Sequence, residues 1–142
     1  MGAIAISAKV ASRPGTHGVT LTTGASSHAI EIAPKADGRG SSANGGELLC
    51  LALATCYCND LYREAAKRSI EVVGVEVDAR ANFGGEGEAA RSLSYRVEVR
   101  ARAAEAEIRE LIAHTDAVAE IHNTLRLGMP VALEAFTAIS TT

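Results

Sequence analysis

The sequence predicts an α+β fold, antiparallel sheet packed on helices in the order βββ-α-ββ-αα-β, and two contrasting patterns carry that prediction. Six segments alternate apolar with small or polar residues, the period of a half-buried strand. Two others, from Asn44 to Lys67 and from Ala104 to Leu127, repeat their apolar residues at helical spacing or are apolar almost throughout.

The elements follow in order. Ile4, Ile6, Ala8 and Val10 alternate and predict a first strand, and Arg13-Pro14-Gly15 turns the chain. Val19-Thr-Leu21-Thr predicts a second strand, Gly24-Ala-Ser-Ser a turn, and Ala29-Ile30-Glu-Ile32 a third strand. The three form a meander. Pro34 to Asn44, with its Asp-Gly, Arg-Gly and Ser-Ser pairs, is an irregular loop leading into the long helix. Asn44 is a good N-cap and Glu47 lies three residues on, a capping box. Nearly every position from Leu48 to Leu61 is Leu, Ala or Cys, so this helix is expected to be buried on most sides, with Arg63 to Arg68 returning to water. Ile70 to Ala81 alternates strongly and predicts a long strand with Val73, Val75 and Val77 on the core face. Phe83-Gly-Gly-Glu-Gly-Glu connects it to a return strand, Leu93 to Ala101. Ile108, Leu111, Ile112 and Thr115 mark the next helix, Asp116 is a candidate cap for a second short one, and Gly128 is its candidate C′ residue. After Pro130, Val131 to Ala138 predicts a closing strand.

With 142 residues the chain is read as one domain, 1–142, long enough to bury a core without metal or disulfide staples. A net charge of −3 gives no basic field for nucleic acid and no polybasic run for an anionic membrane, and the lack of tryptophan argues against a base-stacking surface. No apolar run approaches the roughly 18 residues a membrane span needs, and no basic region precedes the apolar residues at the start of the sequence. These features predict a cytoplasmic protein. Three cysteines within nine positions are not a secreted disulfide framework.

Cys50, Cys56 and Cys58 all lie on the long helix, and several readings of them stand side by side. Free cysteine packs as a small hydrophobe, so all three can be filler. A redox pair is geometrically awkward: at about 100° per residue Cys56 and Cys58 diverge by some 200°. Cys50 and Cys58 stand roughly 12 Å apart along the axis, beyond the limit of about 7 Å between bridged α-carbons. A resident metal is not expected, because a helical Cys-x-Cys splays its ligands and His17, His28, His114 and His122 show no paired spacing. A nucleophile needs a thiolate, and Cys56 is about three turns from the helix N-terminus, so a cation must come from elsewhere in the fold. Arg13 and Arg39 are the candidates, each also readable as an ordinary exposed arginine. His122 is a possible base by residue type and equally a surface helix position.

Gly45-Gly-Glu-Leu-Leu-Cys-Leu-Ala-Leu-Ala-Thr-Cys56 resembles the P-x-E-L-L-x-x-A-L-x-x-C helix of the OsmC/Ohr family of osmotically inducible and organic hydroperoxide resistance proteins. The resemblance implies an intertwined homodimer with the long helices central, no cofactor, and a thiol peroxidase acting on organic hydroperoxides in oxidative or osmotic stress defence. It puts Cys56 at the position that attacks the peroxide and makes Arg13 the nearest match to the activating arginine. Two departures stand out. Ala119 occupies the position of the family's resolving cysteine, with Glu120 at the following proline, so the implied cycle is completed by an external thiol, or by Cys58 or Cys50. At the helix start Gly46 aligns with the family's glutamate, and Glu47, nine residues before Cys56, faces the opposite side, which favours a cap or dimer contact. The rival expectation is a non-enzymatic homodimer of the same fold that binds a small apolar ligand at its interface.

Overall fold

The computed structural model describes residues 2–141, so the two ends of the expected 1–142 domain lie outside the described residues. The order is β1 (Ile6–Arg13), β2 (Thr16–Thr23), β3 (Ser26–Ile30), α1 (Gly45–Lys67), β4 (Glu71–Phe83), β5 (Ala90–Arg102), α2 (Glu105–Val118) and α3 (Glu120–Arg126). The chain divides into two compact units, one up to Leu49 and one from Cys50, and α1 begins in the first and continues in the second.

In the first unit β1, β2 and β3 form an antiparallel meander. Arg13 pairs with Thr16 across Pro14-Gly15, and Gly15 at φ +83° fits the third position of a type II turn behind proline. Thr23 pairs with Ser26, so the second turn is only Gly24-Ala25, and β3 begins earlier than expected because Ser26 and Ser27 join the ladder. The loop that follows is tied back to the first turn: the Gly15 amide donates to the Gly38 carbonyl at 2.9 Å and the Gly40 amide to Ser12 Oγ at 3.3 Å. Gly38 is required twice over. Its φ is +80°, and a Cβ there would stand 3.1 Å from the Gly15 nitrogen. Asn44 and Glu47 form the expected reciprocal capping box, the Glu47 amide donating to Asn44 Oδ1 at 2.8 Å and the Asn44 amide to Glu47 Oε1 at 2.9 Å.

The core of the second unit is Tyr57, Leu61 and Ala65 of α1 against Leu111 of α2, flanked by Ile70, Val72, Val75 and Val77 on the β4 side and Tyr95, Val97 and Val99 of β5. Helices therefore lie on an antiparallel hairpin, as the alternation and the helical periods predict. Two local expectations are corrected and one is met. Val73 is 59% exposed while Val72 is packed on the core, because a register shift between Val72 and Gly74 inserts one residue and flips the alternation. The break between the last helices falls at Ala119, whose ψ of 116° is extended, and Asp116 lies inside α2 instead of capping α3. Gly128 takes the C′ position with φ +65° and donates to the Leu125 carbonyl at 3.1 Å.

Burial along α1 also departs from expectation. Leu53, Tyr57, Asp60, Leu61, Glu64 and Ala65 form one buried face, whereas Leu48, Leu51 and Tyr62 are exposed in the single chain. Nor do the last turns simply return to water. Glu64 is buried and gathers Arg63 at 2.8 Å, Lys67 at 2.9 Å and His114 at 2.9 Å. Those hydrogen bonds, Lys67 first and Arg63 next, hold its carboxyl down at about 2.

Among the described residues no strand forms after Arg126. The expected closing strand, Val131 to Ala138, instead leaves Val131 99% and Phe136 82% exposed. Its alternation is real, but a strand exists only by pairing, and no edge of either sheet takes it up within one chain. Among the described residues no helix is long and apolar enough to cross a membrane.

Candidate functional site

Cys56 stands at mid-height on α1, half-buried, and its surroundings are set by helical spacing. Asp60 is one turn on and Arg63 two turns on, so the three side chains share a face. The break at Ala119 starts α3 beside them and places Glu120 at the same point. The Cys56 thiol donates to Asp60 Oδ2 at 3.5 Å and stands 3.9 Å from Glu120 Oε1. Arg63 bridges the two acids, its Nη1 3.1 Å from Asp60 Oδ1 and 2.9 Å from Glu120 Oε2.

Burial pushes the Cys56 thiol up, a hydrogen bond from the Ile121 backbone opposes this, and the Asp60 and Glu120 charges add to the rise. Burial also raises Asp60, with Glu120 beside it adding to the effect, so Asp60 is the better proton acceptor of the pair. Sγ of Cys56 and one oxygen each of Asp60 and Glu120 lie within 4.8 Å of one another, a donor set a divalent cation could use. It differs from the zinc patterns weighed on the sequence because it draws on carboxylates rather than Cys-x-Cys or histidines.

A prediction follows from the charges. Glu120→Gln removes one anion and leaves Arg63 less neutralised, so the thiol should fall in pKa and alkylation of Cys56 by iodoacetamide at pH 7.5 should quicken by about threefold or more. The rate-against-pH curve should move to lower pH in the variant. An unmoved curve would mean that Glu120 does not govern the thiol.

The remaining sequence candidates fall as follows. Arg13 closes β1, and Arg39 lies in the loop before α1 with its amide donating to Asp37 Oδ1 at 2.9 Å; both belong to the unit that ends at Leu49. Glu47 is engaged in the capping box. Cys50 and Cys58 are free and half-buried, and Cys58 lines a shallow depression with Ala54, Thr55, Asn59 and Val77. His122 is not a surface position: it is 3% exposed, its ring packed against Tyr95. Asp60 and Arg63 were findable from their offsets of four and seven from Cys56. Nothing local in the sequence marked Glu120 as their neighbour.

Residues 38–134 match the family model described as OsmC-like protein. A search of curated proteins gives no significant match. Among solved structures, the chain is similar to an OsmC-like protein from Mycoplasma pneumoniae, with 18% identity, a TM-score of 0.62, and 86% of this chain and 87% of that one covered. It is also similar to an OsmC-like hydroperoxide resistance protein from Jannaschia sp., with 13% identity, a TM-score of 0.53, and 94% and 91% covered. An organic hydroperoxide resistance protein OsmC from Legionella pneumophila shares 19% identity at a TM-score of 0.51, with 86% and 89% covered. At these identities the likenesses speak for the fold.

Proposed function

Given that this chain belongs to the OsmC-like protein family, which supports a general role in peroxide stress, we propose that it is a cytoplasmic homodimer that reduces organic hydroperoxides through Cys56. It works as a single OsmC-like domain. The observation that carries this reading is the neighbourhood of the sulfur: a half-buried thiol beside a proton acceptor, next to the Ala119–Glu120 junction where α3 begins.

In the proposed reaction the thiol proton passes to Asp60 as the sulfur attacks the terminal peroxide oxygen. The O–O bond breaks, the alkoxide leaves and takes up a proton as the alcohol, and Cys56 becomes a sulfenic acid. Since Ala119 offers no thiol, two equivalents of an external thiol return the sulfenic acid to the thiol, releasing water and one disulfide. Cys50 and Cys58, both free, are the internal alternatives. A guanidinium that stabilises the thiolate and polarises the peroxide is assigned to Arg13, with Arg39 as its alternate, and assembly of two chains is the step that brings it to the sulfur.

The homodimer has its own support. β1 is exposed along its whole length, Leu48 and Leu51 of α1 face outward, and the apolar segment after Pro130 is unpaired as a strand. Exposed apolar residues of this kind are what a partner surface covers.

One observation favours a second reading, a non-enzymatic homodimer binding a small apolar ligand at its interface: the charges nearest Cys56 are carboxylates, which oppose the thiolate. Cumene hydroperoxide titration with dimedone trapping separates the two. Peroxide-dependent labelling at Cys56 that Cys56→Ser abolishes supports the peroxidase; thiols that stay unlabelled at about ten equivalents of oxidant favour the ligand-binding protein.

A further inference from the structure

The two carboxyl groups beside Cys56 are arranged as a pair, and all the residues involved belong to the unit that begins at Cys50. Sγ of Cys56, one oxygen of Asp60 and one of Glu120 lie within 4.8 Å of one another. Each carboxyl turns one oxygen to the sulfur, Asp60 Oδ2 at 3.5 Å and Glu120 Oε1 at 3.9 Å. Each gives its other oxygen to Nη1 of Arg63, Asp60 Oδ1 at 3.1 Å and Glu120 Oε2 at 2.9 Å. The guanidinium is itself held by a third acid, its Nε donating to Glu64 Oε2 at 2.8 Å.

Taking the thiol proton needs only one of these acids, so the second asks for an explanation. Two carboxylates on one guanidinium nitrogen repel each other, and pairs at this range ordinarily relieve the repulsion by sharing a proton. The two members are unlike. Asp60 is the inner one, its side chain 9% exposed, and burial first, with Glu120 next, lifts its carboxyl above the ordinary value. Glu120 is the outer one, its side chain 62% exposed, and its hydrogen bond with Asp60 holds it below the ordinary value. A proton leaving the sulfur therefore settles first on Asp60. The acid that meets solvent, and with it an incoming molecule, is Glu120.

We propose that Asp60 and Glu120 act as one acid–base pair around a single proton: Asp60 takes it from the Cys56 thiol, and Glu120, supplied by Asp60, delivers it to the alkoxide that departs when the peroxide bond breaks. This assigns Glu120 as the general acid of the reaction, and it rests on the peroxidase reading of Cys56. The step balances. The thiol proton passes to Asp60 and from Asp60 to Glu120, and the electron pair left on sulfur forms the S–O bond to the terminal oxygen. The O–O bonding pair leaves on the alkoxide, which takes the Glu120 proton. Cys56 is oxidised to the sulfenic acid, the hydroperoxide is reduced to the alcohol, and both carboxyls end as they began. An alkoxide is far more basic than a carboxylate, so the last transfer runs downhill, and the need for it grows with the basicity of the leaving group.

Leaving-group chemistry isolates that transfer. Cumene hydroperoxide expels a strongly basic alkoxide, whereas peracetic acid expels a carboxylate, an anion that is stable without a proton at any pH well above about 4. In full-length protein at pH 7.0, dimedone labelling with peptide mass spectrometry gives the rate of sulfenic acid formation at Cys56 for each oxidant. Glu120→Gln should lower the ratio of the cumene hydroperoxide rate to the peracetic acid rate by at least about tenfold. A general acid ordinarily contributes about a hundredfold or more, and water replaces part of an exposed one. A smaller fall would overturn the acid–base pair and leave Cys56 a peroxidase thiol, whereas a wild-type Cys56 that neither oxidant labels would remove both readings. Wild-type protein decides even if Glu120→Gln folds poorly: D₂O should slow the cumene hydroperoxide reaction more than the peracetic acid reaction, and equal slowing would overturn the proposal.

Discussion

Leu61→Ala should destabilise the protein by about 3 to 5 kcal/mol, because it empties the point where α1 meets α2 and the β4–β5 hairpin. Leu61 and Leu111 are both fully buried, with Tyr57 and Ala65 one turn to either side on α1. The neighbours that would have to collapse into the gap are held in place. Tyr57 is anchored through its hydroxyl to the Ile112 carbonyl and through its ring to Tyr95, 5.1 Å away. Thr115 is fixed by its hydrogen bond to the Leu111 carbonyl at 2.8 Å. A lost Leu side chain here therefore leaves a cavity instead of a repacked core, and the upper half of the usual range applies. Chemical denaturation measures it as a lower midpoint with an unchanged slope. A loss under about 1 kcal/mol would mean that the core closes over the gap.

Deleting residues 129–142 should convert the proposed dimer into a monomer. Full-length protein should run in light scattering at about twice the 14.7 kDa chain mass, and the shortened chain at its single mass. The reasoning is that alternating apolar residues from Val131 onward, most of their surface exposed, form a strand only when another edge pairs with them. Among the described residues none of this segment belongs to the core around Tyr57, Leu61 and Leu111, so the truncated chain should keep its aromatic contacts and its helical signal. A full-length monomer, or a truncated chain that still dimerises, would sink the proposed assembly.

The two expected effects depend on different kinds of information. Leu111 is legible as core from its spacing of three and four with Ile108 and Thr115, whereas Leu61 is legible only as part of a helix read as buried on most sides, and the fold decided which face of that helix is covered. The segment after Pro130 is legible as a strand from its alternation, yet whether it becomes one depends on an edge that one chain does not supply. Val73 shows the same division on a smaller scale. Alternation predicted the strand correctly, and a single bulge reversed which side of it faces the core.

The sequence alone determined the α+β order through α3, the capping box at Asn44 and Glu47 and the C′ role of Gly128, since each follows from residues within a few positions of one another. Its family resemblance is borne out by the match over residues 38–134. Only the tertiary structure decided what surrounds the sulfur and the imidazole. Glu120 reaches Cys56 across 64 positions of sequence, and the His122 nitrogens have no hydrogen-bond partner among the described residues where the ring packs on Tyr95 and Tyr57. Charge and desolvation at a site are sums over whatever the fold brings within a few ångströms, and no pattern along the chain records that sum.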